Sequence, residues 1–244
     1  VTGVQTCALP IWAAARGGYL PGHVPHDDER HGRPGGGGDP RPAGARDVTG
    51  GRTATLDRIA AAVRAHEAVI AERDEPFWEA AVAIVLREVA PGTEALFIKR
   101  AVRAGDPWSG QVALPGGRRD PQESDLVETA VRETREELAL DLHAHGELIG
   151  PIDELRPRTP VLPPVIVRPY VAVLRDAPRL VHSDEVAGHF WVPLGELFDP
   201  ANAKRTRVLT RGTFWIWRDA IHWREHVIWG MTEVILRTFQ RVAL

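Results

Sequence analysis

Residues 116–138 read Gly-Gly-Arg-Arg-Asp-Pro-Gln-Glu-Ser-Asp-Leu-Val-Glu-Thr-Ala-Val-Arg-Glu-Thr-Arg-Glu-Glu-Leu, a glycine turn set in front of an amphipathic helix. At 3.6 residues per turn, Val127, Ala130, Val131, Thr134 and Leu138 make one apolar stripe, which predicts a helix packed against a core. Glu133, Glu136 and Glu137 fall within an arc of roughly 100° beside that stripe. Like charges this close on a helix repel by a few tenths of a kcal/mol per pair, so the clustering needs a reward. A hard divalent cation supplies one, because Mg²⁺ binds carboxylate oxygens together with water and substrate phosphates. The stretch therefore reads as a divalent-metal site with Glu136 and Glu137 as ligands, against the alternative of a solvated acidic face.

These residues resemble the signature of the Nudix hydrolases, Gly-x5-Glu-x7-Arg-Glu-U-x-Glu-Glu-x-Gly-U with U aliphatic. The second half matches from Arg132 to Leu140. Three departures stand out: eight residues rather than seven separate Glu123 from Arg132, Thr134 replaces an aliphatic residue, and Ala139 replaces the glycine at the helix exit. A left-handed Ala139 would cost on the order of 1 kcal/mol. The longer turn, preceded by Gly110-Gln111-Val112-Ala113-Leu114-Pro115, resembles the coenzyme A pyrophosphatase branch of the family. So do Arg156 to Pro160 and Ile228-Trp229-Gly230-Met231-Thr232, whereas the segment from Asp106 to Gly110 departs from the arginine/histidine form of the branch motif.

The resemblance implies an α/β fold, the Nudix-type α/β/α sandwich with a mixed β-sheet, and a Mg²⁺- or Mn²⁺-dependent hydrolase. Coenzyme A is the favoured substrate, giving 4′-phosphopantetheine and adenosine 3′,5′-bisphosphate. ADP-ribose or another nucleoside diphosphate sugar, or a nucleoside triphosphate, is the alternative within the enzyme class. A non-catalytic binding or regulatory module on the same fold is the alternative outside it, and such modules commonly lose motif carboxylates that Glu133, Glu136 and Glu137 retain here. By the same resemblance Glu133 is a third metal ligand or the base that activates water, Gly117 lends a carbonyl to the metal, and Glu185 supplies a distant acid. Arg132 orients a neighbouring carboxylate by charge-assisted hydrogen bonds, or makes a plain salt bridge to Glu128 or Glu136. Glu123 supports the loop. Arg100, Arg103, Arg118 and Arg119 flank the site as candidate phosphate contacts. Trp108 is a candidate for stacking on a base or covering the pocket, against the alternative of core or loop packing.

Around this motif, apolar spacing predicts a helix over residues 55–71, a hairpin of strands at 80–86 and 95–99, and a short strand at 111–114. Asp120 or Asp125 is positioned to cap the metal helix. A strand at 165–174 contains Pro169, which predicts an edge position or a bulge. Further strands are expected at 190–192 and at 213–217 and 222–227, the last two pairing across 218–221, with a short helix at 193–197 and a final helix at 229–242. Trp215, Trp217, Trp223 and Trp229 are expected mostly in the core, with Trp215 and Trp217 on one strand face.

Residues 1–11 back-translate in frame to a common sequencing-library adapter and are expected to be an artefact; they hold the one cysteine, Cys7. Residues 12–50, with four consecutive glycines from Gly35, offer no periodic apolar face and are expected to be disordered or non-native. That leaves residues 51–244 as one Nudix domain, its core at 76–244, without disulfides or thiol catalysis and at home in a reducing cytoplasm. A net charge of −3 and the absence of a basic stripe with interleaved aromatics argue against nucleic acid, and no apolar run reaches membrane-spanning length. The expected partner is a small nucleotide-containing diphosphate, with a homodimer left open.

Overall fold

The computed structural model describes residues 54–244 apart from 75, 91, 105–108, 159–163 and 211–213, so the readings for 1–11 and 12–50 lie outside it. The elements run α1 (Ala54–Ala65), β1 (Trp78–Val89), β2 (Gly92–Arg100), β3 (Val112–Ala113), β4 (Gly116–Arg118), α2 (Leu126–Leu138), α3 (Leu142–His145) and β5 (Gly146–Pro151). They continue with β6 (Val165–Leu174), β7 (Val186–Pro193), α4 (Leu194–Leu197), a 3₁₀ turn at Pro200–Asn202, β8 (Ala203–Thr210), β9 (Phe214–Trp223), β10 (His226–Trp229) and α5 (Met231–Ala243).

β1 is apolar at almost every position because both of its faces are covered. Ala80, Val82, Ile84 and Leu86 pack with Leu56, Ile59 and Val63 of α1 and Ile235, Leu236 and Phe239 of α5. On the other face Ala83 and Val85 join Leu138, Leu140 and Leu142, while Ala81 meets Leu126 and Ala130 of α2. Helices on both sides of one sheet make the α/β/α sandwich. The sheet has seven strands in the order β3-β2-β1-β6-β5, with β4 also on β1 and β7 also on β2. β1 and β6 run parallel while β1 and β2 are antiparallel, so the sheet is mixed. A second sheet is the meander β10-β9-β8. Among the described residues no helix is long and apolar enough to cross a membrane.

Several sequence expectations need correction. The first helix ends at Ala65 rather than 71, and Val69 beyond it is exposed. β6 is an interior strand, hydrogen bonded to both β1 and β5, not an edge. Pro169 is tolerated there because the β5 ladder ends with the Pro151–Tyr170 pair. The Pro169 carbonyl accepts from Ile152 N at 3.0 Å, and its ring nitrogen faces the same side, past the end of that ladder. The turn expected at 218–221 is strand: β9 runs unbroken to Trp223, and the chain reverses at Arg224 (φ 51°) before β10. Trp223 is core, but Trp215 and Trp217 are exposed.

Candidate active site

The two glycines expected in a tight turn form strand β4 instead, with Gly116 opposite Val82 and Gly117 opposite Ala81 of β1. The turn follows, and its spare length is used by Glu123. That carboxylate accepts from Asp120 N at 2.8 Å, from Thr129 Oγ1 at 2.6 Å and from Arg132 Nε at 2.7 Å. Asp125, not Asp120, caps α2 by accepting from Val127 N at 3.1 Å. At the far end Ala139 is left-handed (φ 53°, ψ 28°), as the missing glycine requires, with its N–H donated to Arg135 O. Thr134, in place of an aliphatic residue, is buried with its hydroxyl donated to Ala130 O at 2.7 Å, so no polar atom is stranded.

The helix is turned further inward than the apolar stripe implies. Its buried line is Leu126, Ala130, Thr134 and Leu138 together with Thr129, Glu133 and Glu137, while Val127 and Val131 are only partly covered. Glu133 and Glu137 thus lie beneath the surface against β4, and Glu136 remains exposed. Contact between strand and helix is close enough that a Cβ on Gly117 would overlap the Glu133 carboxylate. One on Gly116 (φ 151°) would overlap the backbone of Ala81 and Val82.

Arg132 ties these groups together. Besides Glu123 it donates from Nη1 to Glu133 Oε1 at 2.8 Å and Glu136 Oε2 at 3.2 Å, and from Nη2 to Arg118 O at 3.0 Å. Burial alone would lower its pKa, but the hydrogen bond to Glu123 and the charge of Glu133 raise it instead. Glu137 Oε2 accepts from Gly116 N at 2.9 Å, and Oε1 is buried with no hydrogen-bond partner among the described residues. Burial pushes Glu137 up to about 8, against the pull of the Gly116 amide and with help from the charge of Glu133. Glu133 is pushed up to about 7 by burial, moderated by Arg132 and reinforced by Glu136.

The remaining candidates fall into two groups. Arg100 is buried at the end of β2, where its charge acts on Glu137, and Glu185 acts on both Glu133 and Glu137. The loop carrying Glu185 is clipped to the end of α2 by Ser183 N to Glu137 O at 3.1 Å and Val181 N to Leu138 O at 2.9 Å. Arg103 faces this loop, with Nη1 3.1 Å from Glu185 Oε1 and Nη2 3.0 Å from Asp184 Oδ2. Sequence reasoning did not single out Asp184, although its place beside Glu185 is the available signal. Arg118 and Arg119 are engaged in holding the strand and turn. The Arg118 guanidinium lies 4.3 Å over the Trp78 ring, and Arg119 pairs with Glu79 and donates to the carbonyls of Glu123 and Ser124. Trp108 lies outside the described residues.

Among the described residues no three acidic, histidine or cysteine side chains converge on one metal position. The reason is visible: Arg132 occupies the space between Glu133 and Glu136, and Gly116 holds one oxygen of Glu137. The donor set nevertheless suits a hard divalent cation. It offers carboxylate oxygens, the bare backbone of Gly116 and Gly117, and the partnerless buried Glu137 Oε1, whose ionised form a cation would stabilise.

The family model for the NUDIX domain matches residues 77–212. An uncharacterized protein of Schizosaccharomyces pombe is 34% identical over 117 residues, 46% of this chain and 36% of that protein. Human mitochondrial coenzyme A diphosphatase NUDT8 is 33% identical over 159 residues, 64% of this chain and 65% of that protein. The uncharacterized Nudix hydrolase NudL of Salmonella paratyphi B is 35% identical over 169 residues, 65% of this chain and 79% of that protein. The chain thus spans from about a third to about four fifths of the lengths of these relatives.

Proposed function

The chain belongs to the Nudix family, and on that premise we propose that it is a divalent-metal-dependent hydrolase of nucleoside diphosphate linkages, with coenzyme A as substrate. The observation that carries the proposal is the pair Glu133 and Glu137, two carboxylates buried side by side against the bare backbone of Gly116 and Gly117, with Glu137 Oε1 lacking a partner. A buried carboxylate oxygen without a hydrogen-bond partner, as in Glu137, is costly, and a ligand at that position would offset the cost. The human relative's name, a coenzyme A diphosphatase, supports the choice of substrate.

Glu133, Glu136 and Glu137 would hold Mg²⁺ or Mn²⁺, joined by the Gly117 carbonyl and by Glu185 from its loop. When bound, the metal supplies charge neutralisation on the diphosphate and a water of lowered pKa. Glu133 would also be the group placed to take the proton from the attacking water. Arg132 fixes the direction of the Glu133 carboxylate, and Glu123 fixes Arg132. Arg100 offsets carboxylate charge from beneath. Of the candidate phosphate contacts, Arg103 is favoured, because its present partners are carboxylates of a surface loop that a diphosphate can replace. Water adds to one phosphorus of the diphosphate and the bridging P–O bond breaks, releasing 4′-phosphopantetheine and adenosine 3′,5′-bisphosphate.

Incubation of the protein with Mg²⁺ or Mn²⁺ and, separately, coenzyme A, ADP-ribose and a nucleoside triphosphate, followed by mass spectrometry, tests this reading. The expected result is adenosine 3′,5′-bisphosphate from coenzyme A at the highest efficiency. Preference for ADP-ribose or a triphosphate replaces the substrate and keeps the metal chemistry. No cleavage of any, with metal binding intact, makes the chain a binding module.

A further inference from the structure

The most exposed large aromatics of known placement lie far from the carboxylates in chain and in sheet. Trp215 and Trp217 are 58% and 55% exposed, although indole is among the side chains that gain most from burial. Both sit on β9 at alternate positions, so they share one face and stand about 7 Å apart along the strand. The register with β8 completes that face: Leu209 is opposite Trp215, Arg207 opposite Trp217 and Arg205 opposite Asp219. The Arg207 guanidinium lies 5.5 Å from the Trp215 ring centroid. On the other face of the ribbon Val208 and Ala220 are buried, while Lys204 and Arg218 are exposed. On the tryptophan face itself the charged residues are Arg205, Arg207 and Asp219, the last directly opposite Arg205.

A short patch of two arginines beside two tryptophans is therefore present. It was not legible in sequence because β8 was not expected to be a strand and a turn was expected at 218–221; antiparallel pairing is what gathers Arg205 and Arg207 beside the tryptophans. We infer that the exposed face of the β8–β9 ribbon is a binding surface for single-stranded nucleic acid, with Trp215 and Trp217 as stacking platforms and Arg205 and Arg207 as phosphate contacts. Two features select this occupant. Arg205 and Arg207 against Asp219 leave the tryptophan face positive in a chain of net charge −3, which favours a polyanion. The exposed indoles, Trp217 above all since Arg207 already lies over Trp215, offer a π-face to a base and nothing comparable to a carboxylate. The surface belongs to the three-stranded sheet and does not depend on the hydrolase reading.

Fluorescence anisotropy of labelled oligo(dT) and oligo(U), titrated with the full chain at low and at moderate salt, tests it. Binding that weakens with added salt is expected. In Trp215→Ala/Trp217→Ala binding should fall at least tenfold, with turnover at the carboxylate site unchanged. Arg205→Ala/Arg207→Ala should flatten the salt dependence. The inference is overturned by no binding at low salt, by equal binding in the double tryptophan variant, or by equally tight competition from poly-glutamate, which would reduce the surface to charge alone. It is also overturned if sedimentation shows a dimer that the double tryptophan variant abolishes, since the face would then belong to a second copy.

Discussion

The backbone N–H of Gly116 donates to Glu137 Oε2 at 2.9 Å, joining the strand before the loop to the last turn of the helix after it. This bond fixes one carboxylate oxygen and leaves the other buried without a partner. Glu137→Gln keeps the volume and keeps an oxygen for Gly116, but removes the charge. We expect Mg²⁺-dependent turnover to fall by roughly 100-fold or more. The melting temperature in EDTA, relative to the parent protein, should rise from acid to alkaline pH, because the buried carboxyl that resists ionisation is gone. Full turnover in this variant would exclude Glu137 from the metal shell.

Gly117→Ala places a methyl where the Glu133 carboxylate lies. Overpacking of this kind costs about 1–3 kcal/mol, and here it also displaces a group on which the chemistry depends. Denaturant midpoint and turnover should fall together. Gly188→Ala on β7 is the control, since a Cβ there meets nothing within 4 Å and neither quantity should change. Loss of stability with full activity would mean that Glu133 can move without consequence.

The contrast between those two glycines marks how far the sequence carried. The α2 helix was legible because its apolar residues follow the 3.6 period, and the charged cluster because like charges seldom gather without cause. Its rotation was not legible. Periodicity places Glu133 and Glu137 beside the stripe, whereas the bare backbone of Gly116 and Gly117 in β4 makes room for them within it. The loop acid Glu185 and the Arg103 that pairs with it come from positions about 80 residues apart, a contact that local pattern does not encode. β8 has no clean apolar alternation: Lys204, Arg205 and Arg207 make it look like loop, and its strand character comes from pairing with β9.

Proton linkage gives the metal-free protein a distinct stability profile. Burial raises Glu133 to about 7 and Glu137 to about 8, above their unfolded values near 4.5. The folded state then holds more protons than the unfolded state between these limits, so their contribution to stability is full below about pH 4.5 and is lost as pH rises through 7 to 8. Glu154 acts in the opposite sense. Its carboxylate accepts from Arg73 at 2.6 Å, Ala71 N at 2.8 Å and Arg168 at 2.8 Å. These bonds outweigh burial and lower its pKa, and their contribution is lost as pH falls. Thermal melts in EDTA should therefore peak on the acid side of neutrality and decline by pH 8.5. Mn²⁺ should restore stability most at the alkaline end, where both site carboxylates are ionised. A metal-free melting temperature flat from pH 5.5 to 8.5 would contradict the assigned shifts.

Ala139 holds the helix exit in the left-handed region with φ 53°, where the family motif has glycine. An L-residue with a Cβ pays about 1–2 kcal/mol there, and glycine returns part of the gain through its larger unfolded-state entropy. Ala139→Gly should then stabilise the protein by about 0.5–1 kcal/mol, a rise of roughly 1–4 °C in melting temperature for a domain of this size. The Ala139 N–H still reaches Arg135 O at 2.8 Å, so the cap itself survives. Because Glu137 O and Leu138 O anchor the Glu185 loop just before this point, a relaxed exit also tests whether that loop is under strain. Turnover should be unchanged if α2 already has its working geometry. A stabilised variant with altered turnover would show that the strained alanine sets the position of Glu185 relative to Glu133 and Glu137, and a destabilised one would mean that the Ala139 side chain makes contacts worth more than the strain.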